Sequence, residues 1–148
     1  MTLVRADWEP ELVTTTATKL VLTAATNRPF RVRQVMIGFN GVTTTQTPLE
    51  VRLQIASAAG TGTARTLVKI DRRDGTTIGM TGLTVMTVEP TYTTILQRWY
   101  LNLQTPPFLW QPPEREFIVV GAGEILGVKV VGTPSPDVHC LGELILEE

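Results

Sequence analysis

The chain is short of the residues that most site chemistry requires. Its 148 residues include one cysteine, Cys140, and one histidine, His139. A lone cysteine forbids an internal disulfide and a cysteine-based zinc cluster. A lone histidine excludes any site built on two imidazoles. Charged residues make up 18% and nearly cancel, to a net charge of −1, so no field exists to grip nucleic acid or an anionic membrane. Neither is expected as a partner. No apolar run approaches the roughly 20 residues of a membrane helix. The opening Met1–Pro10 lacks the basic and apolar regions of a secretory signal, so synthesis in the cytoplasm is expected. No window gives an amphipathic helix.

What the chain has in abundance is threonine: 24 residues, against 2 serines, beside 16 valines and 8 isoleucines. β-Branched side chains lose rotamer freedom in helices and pack well on pleated sheets. With 43% hydrophobic residues there is material for one core, so the expectation is a single all-β domain.

Alternation at period two locates the strands. In Glu50–Ile55, Val51, Leu53 and Ile55 face inward while Glu50, Arg52 and Gln54 face water. Leu20, Leu22 and Ala24 oppose Lys19, Val21 and Thr23. Val35, Ile37 and Phe39 share a face, as do Ile95, Trp99, Leu101 and Leu103, and Leu126, Val128 and Val130. Val68 and Ile70 are set inward against Lys69 and Asp71. At the end, Val138, Cys140, Leu144 and Leu146 oppose His139, Glu143 and Glu147. Shorter strands lie near Leu83–Val88 and Glu116–Val120. Turn signals such as Asn40-Gly41, Asp74-Gly75, Pro112-Pro113 and Pro134-Ser135-Pro136 separate these segments. The reading is eight to ten strands in a sandwich or barrel, with Gly41–Thr47 and Ala56–Arg65 as loops. An exposed edge so rich in β-formers needs closure or a partner subunit.

Residues 1–16 read differently. Trp8-Glu9-Pro10 precedes the tract Thr14–Thr16, without clean alternation. Either this is a frayed terminus or an extended arm that lies on a neighbour with Trp8 as anchor. The expected domain is then 17–148.

Motifs that could carry chemistry have plainer explanations. Gly121-x-Gly123-x-x-x-Gly127 has the wrong spacing for a nucleotide fingerprint and precedes β sequence, so a tight hairpin turn is expected. Neighbouring strand residues point to opposite faces, so His139 cannot serve Cys140 as a base. Cys140 is expected in the core, with His139 on the surface near Glu143. Asp71-Arg72-Arg73-Asp74-Gly75 does not match a calcium loop. It reads as a turn with local ion pairs, and Arg72 and Arg73 could bridge subunits. Glu114 and Glu116 read as a solvated turn with no cleft for paired carboxylates. For Trp99-Tyr100 and Phe108-Leu109-Trp110, three uses stay open: core, protein interface, or sugar-stacking platform. Tyr100 and Trp110 are the surface candidates. No catalytic residue, cofactor or metal is assigned, and the chain is not read as an enzyme. The interface candidates are Trp8, Arg72, Arg73, Tyr100 and Trp110.

One ordered series of features runs through nearly the whole chain. It begins with Asn27-Arg28-Pro29-Phe30-Arg31-Val32 and Ile37-Gly38-Phe39-Asn40-Gly41. It continues through Glu89-Pro90-Thr91, Leu96-Gln97-Arg98-Trp99-Tyr100, Pro107-Phe108-Leu109-Trp110 and Pro112-Pro113-Glu114-Arg115-Glu116. Gly121-Ala122-Gly123-Glu124, Leu126–Val130 and Leu146-Glu147-Glu148 close it. This series resembles a family of small virion proteins encoded among the structural genes of tailed bacteriophages. The resemblance implies a jelly-roll-like antiparallel β-sandwich that packs onto other virion proteins. The role that fits best is capsid decoration, or cement. It implies the major capsid protein as partner, a homotrimer, and a place on the capsid surface. The alternative is a tail-associated or glycan-binding module of the virion.

Overall fold

The computed structural model describes residues 1–41, 47–104 and 106–148, so the tract Thr43–Thr45 and most of the loop read around it lie outside. Two antiparallel sheets pack face to face. The terminal sheet holds β1 (Leu3–Val13), β3 (Phe30–Phe39), β6 (Val68–Lys69), β9 (Phe108–Trp110), β10 (Ile118–Val120) and β12 (Val138–Glu147). Its order is β10-β3-β12-β1-β6, with β9 also paired to β3. The ribbon sheet holds β2 (Ala17–Thr23), β4 (Leu49–Ala58), β5 (Thr61–Arg65), β7 (Thr81–Val88), β8 (Thr91–Leu101) and β11 (Ile125–Val131), in the order β5-β7-β2-β11-β4-β8. The expected all-β sandwich is what the chain forms.

The core is the alternation made solid. Val4, Val32, Val35, Ile37, Cys140, Leu144 and Leu146 from the terminal sheet meet Leu20, Leu22, Val51, Leu53, Leu126, Val128 and Val130 from the other, all but sealed from solvent. Residues 1–16 are no arm. Leu3 to Val13 pair with β12 from Leu3↔Glu147 to Val13↔Val138, interrupted by one bulge between Trp8 and Glu11. The reason is in the sequence: Val4, Ala6 and Trp8 alternate with Leu3, Arg5 and Asp7, and the first set is buried. Trp8 is only 3% exposed, and its indole N–H donates to the Cys140 carbonyl at 3.2 Å.

Ala56–Arg65 is no loop either. Ala58 pairs with Thr91 and Thr61 with Val88, so β4–β5 and β7–β8 form one long antiparallel ribbon that bends at Gly60. Gly60 has φ +73°, and a Cβ there would overlap the Val88 carbonyl oxygen. The bend lays the ribbon over the outer face of β2 and β11. Tyr92 lies where a side chain at Gly127 would stand, and its hydroxyl meets that of Thr18 at 2.7 Å. The Glu89 carboxylate accepts from the Thr18 amide at 3.0 Å and the Thr18 hydroxyl at 2.5 Å.

This cover accounts for polar residues that alternation alone assigned to water. Gln54, paired with Gly127, is buried in the covered row. Glu50 is buried against Arg52, whose Nε and Nη2 donate at 2.7 and 3.1 Å. Glu147, on the terminal sheet, lies outside this cover and is buried beside Arg33, 3.7 Å away. Lys19 is a separate case. Register slips from Leu20↔Val128 to Thr18↔Lys129, so Lys19 is the extra residue of a bulge. Its ammonium, 1% exposed as a residue, reaches Glu11 at 3.2 Å and the Leu12 carbonyl at 3.4 Å.

Two further expectations are corrected. The strand read over Thr66–Asp71 shrinks to the two-residue β6, and Val68 and Ile70 are 41% and 49% exposed because Leu67 is the residue turned to the core. The Gly121–Glu124 turn is not a hairpin. Glu124 N–H donates to Gly121 O at 3.0 Å, but β10 pairs with β3 and β11 with β2 and β4, so the turn crosses between sheets.

A buried ammonium that loses its carboxylate is strongly destabilising, whereas removing the cation leaves Glu11, whose side chain is 27% exposed, in reach of water. Glu11→Gln should therefore lower unfolding free energy by roughly 2–3 kcal/mol, while Lys19→Met leaves it within about 1 kcal/mol, both read from urea denaturation. Gly60→Ala should lose more than about 2 kcal/mol in the same assay, since it combines a left-handed φ with a backbone overlap.

Candidate interaction surface

The outer face of the terminal sheet carries a group of exposed apolar side chains beside a groove. On β12, His139 and Leu141 point away from the core because Val138 and Cys140 point into it. Leu12 stands opposite His139, Gly38 opposite Leu141, and Leu109 opposite Met36. Leu12, Leu109 and Leu141 are 46%, 54% and 44% exposed. The bare Gly38 leaves a floor beside Pro107, where a side chain added at position 38 would come into ordinary contact with the proline ring. Around it runs a groove of about 470 Å³ lined by Pro10, Gly38, Phe39, Asn40, Pro107, His139 and Leu141. At its polar end Asn40 Oδ1 accepts from the His139 amide at 2.6 Å, and Asn40 Nδ2 lies 3.3 Å from His139 Nδ1. His139 is therefore held by Asn40, not by Glu143. A second hollow of about 380 Å³ shares Phe39 and Pro107 and extends to Tyr100, Phe108 and Leu109.

The five interface candidates are not gathered in one place. Trp8 is in the core and offers nothing to a neighbour. Arg73 pairs locally with Asp71, its Nε 3.2 Å away, and the Asp71 carboxyl is lowered by that guanidinium. Arg72 is exposed on the same turn, beside Leu67 and Ile78. The neighbouring Asp74 is locked inward, accepting from the Thr76 amide at 2.8 Å and the Thr2 hydroxyl at 2.7 Å, which holds its carboxyl far below the usual range. Trp110 is half-buried: Trp99 stacks at a tilt on it and on Phe108, with centroids 5.5 and 5.1 Å apart. Those three rings fill the side of the sandwich where β8 and β9 approach, which is the core use of the segment. Tyr100, 72% exposed, stands on the opposite face of β8.

The groove residues Pro107 and Leu141, and their exposed neighbours Leu12 and Leu109, are not singled out by the sequence reading. A signal existed: the polar face of the last strand, His139, Leu141, Glu143 and Ile145, contains two large apolar residues.

Chemical equipment is sparse. Among the described residues no group of three or more His, Cys, Asp or Glu side chains could hold a metal ion. Glu114–Glu116 form an exposed 3-10 turn, with Arg115 3.8 Å from Glu116. Among the described residues no helix is long and apolar enough to cross a membrane. Burial pushes the Cys140 thiol up to about 12, so it is a neutral core group at physiological pH. No protein-family model, curated protein or solved structure matches the chain.

The raised thiol has a definite sign in pH. Folded Cys140 keeps its proton up to about 12, while the unfolded thiol ionises near 8.5. Its contribution is complete below that lower value and is lost as pH rises toward the folded one, by up to about 1.4 kcal/mol per pH unit. Urea unfolding at pH 8 and pH 10.5 should show a smaller loss for Cys140→Ala than for the parent. The thiol should react with Ellman's reagent only on unfolding.

Proposed function

We propose that this chain is a structural protein of a tailed-bacteriophage virion. It decorates the outer surface of the head, packs onto the major capsid protein, and performs no catalysis. The observation that carries the reading is the exposed apolar patch on the terminal sheet: Leu12, Leu109 and Leu141 stand on its outer face, and Leu141 lines a groove with a polar rim at Asn40 and His139. Exposed apolar surface rimmed by polar groups is the usual mark of a protein-docking site. The resemblance of the Glu89–Glu148 series to virion proteins supplies the partner.

The physics suits the role. A shell presents many identical sites to crowded copies, and a net charge of −1 limits repulsion among them. The docking residues sit on paired strands, so they bind with little backbone ordering.

Undecorated heads mixed with the purified chain test the proposal by co-sedimentation. Leu141→Glu and Leu109→Glu should each weaken binding at least about tenfold, the effect of losing one apolar anchor. Their melting temperatures should stay unchanged, because both side chains are about half exposed. Undiminished binding by both variants, or glycan binding through Tyr100 with no affinity for heads, would overturn the reading.

A further inference from the structure

Two sheets present four lateral edges, and three of them are blunted. On one side the terminal sheet ends in the two-residue β6 and in β1, which carries Pro10 and a bulge between Trp8 and Glu11. Arg65 seals that flank, reaching Asp7 at 2.8 Å and Glu9 at 3.1 Å. On its other side lie β9 and β10, three residues each, separated by Pro112-Pro113. The ribbon sheet ends in β5, five residues long, whose last residue is the same Arg65. These are the devices by which sheets avoid pairing with strangers.

β8 is the exception. It is eleven residues long, contains no proline or lysine, and carries one charge, Arg98. Its first half is bulged at Thr93 and Leu96, but Gln97–Leu101 run in unbroken register against Leu49–Leu53. Among the described residues β8 makes no backbone hydrogen bond except to β4. On this regular stretch stands Tyr100, at 72% the most exposed aromatic ring.

We infer that β8 pairs, antiparallel, with β8 of a second copy across a two-fold axis, joining two ribbon sheets edge to edge. A second copy is the fitting occupant because the stretch is complementary to itself. A two-fold axis at Trp99 sets Arg98 opposite Tyr100 of the partner subunit, and Tyr100 opposite the partner's Arg98. A guanidinium over a tyrosine face is a favourable cross-strand pair, made twice. Centring the axis on Arg98 would instead oppose two like charges, and centring it on Tyr100 would run past the end of the strand. Arg98 also stays within 3.7 Å of Glu50, which limits its repulsion toward the second copy. In a second copy the other three edges are blunted, so contact between like edges closes as a dimer and does not propagate.

Light scattering and sedimentation of the full chain from about 1 μM to about 1 mM, the range of weak to moderate affinity, test the inference. The expected species has twice the 16.3 kDa chain mass. Tyr100→Lys places an ammonium opposite Arg98 and should weaken the dimer at least about tenfold; Tyr100→Glu places a carboxylate there and should keep or tighten it. Melting of both variants under dilute conditions checks that the fold is intact. A monomer throughout, a threefold mass, or equal effects of the two variants would overturn the pairing. Leu141→Glu should leave the mass unchanged, so failure of head binding and failure of the dimer are separately visible.

Discussion

The sandwich depends on one bend. At Gly60 the β4–β5 strand folds over, carrying β7 and β8 with it, and the approach is close enough that no side chain fits there. Because the ribbon lies across β2 and β11, those strands are buried on both faces, as the pattern of β2 records. Two contacts secure the cover: Tyr92 on the bare Gly127, and Glu89 on the Thr18 amide that β7 leaves unpaired when it departs. The departure itself occurs where Val85 takes φ +50°, a strained conformation for a β-branched residue. Strain there and the glycine at the bend belong to the same turn of the ribbon.

That cover also decides where function can sit. It consumes much of the outer face of the ribbon sheet, so Val21, Gln54 and Gly127 are unavailable to a partner. No comparable layer covers the terminal sheet among the described residues. Its Leu12, Leu109 and Leu141 therefore remain at the surface as a consequence of how the ribbon folds. The groove and the free β8 edge belong to different sheets.

Period-two alternation made most strands legible, including their inward faces. It reports two faces, however, and not what covers the second. Gln54 was assigned to water correctly as to side and wrongly as to burial, because Tyr92 comes from a strand some forty residues distant in sequence. β1 is legible in Val4, Ala6 and Trp8, which alternate with Arg5 and Asp7, but Pro10 and the threonines that follow obscure it. Lys19 was not legible, since its inward turn follows from a bulge that only pairing with β11 creates. The Gly121–Glu124 turn shows the same limit: local sequence specifies a reversal, while sheet membership is decided by distant partners. Leu141 was the available clue to the surface, an apolar residue on a polar face.

With β1 built into the terminal sheet, any binding role works differently from that of a clamping arm. An arm gains contact area by ordering on its target and loses conformational entropy in proportion. Here Trp8 is already spent inside, and the Lys19–Glu11 pair ties the end of β1 to β2 across the two sheets. In the proposed role, Leu12, Leu109 and Leu141 are held on strands whose backbone bonds are made before any partner arrives, so mainly their side chains remain to be fixed. Affinity then rests on how well a partner fills the Gly38 groove and satisfies its Asn40–His139 rim. A preformed surface of this kind gains from many weak, identical placements, which is the geometry that the proposed shell would provide.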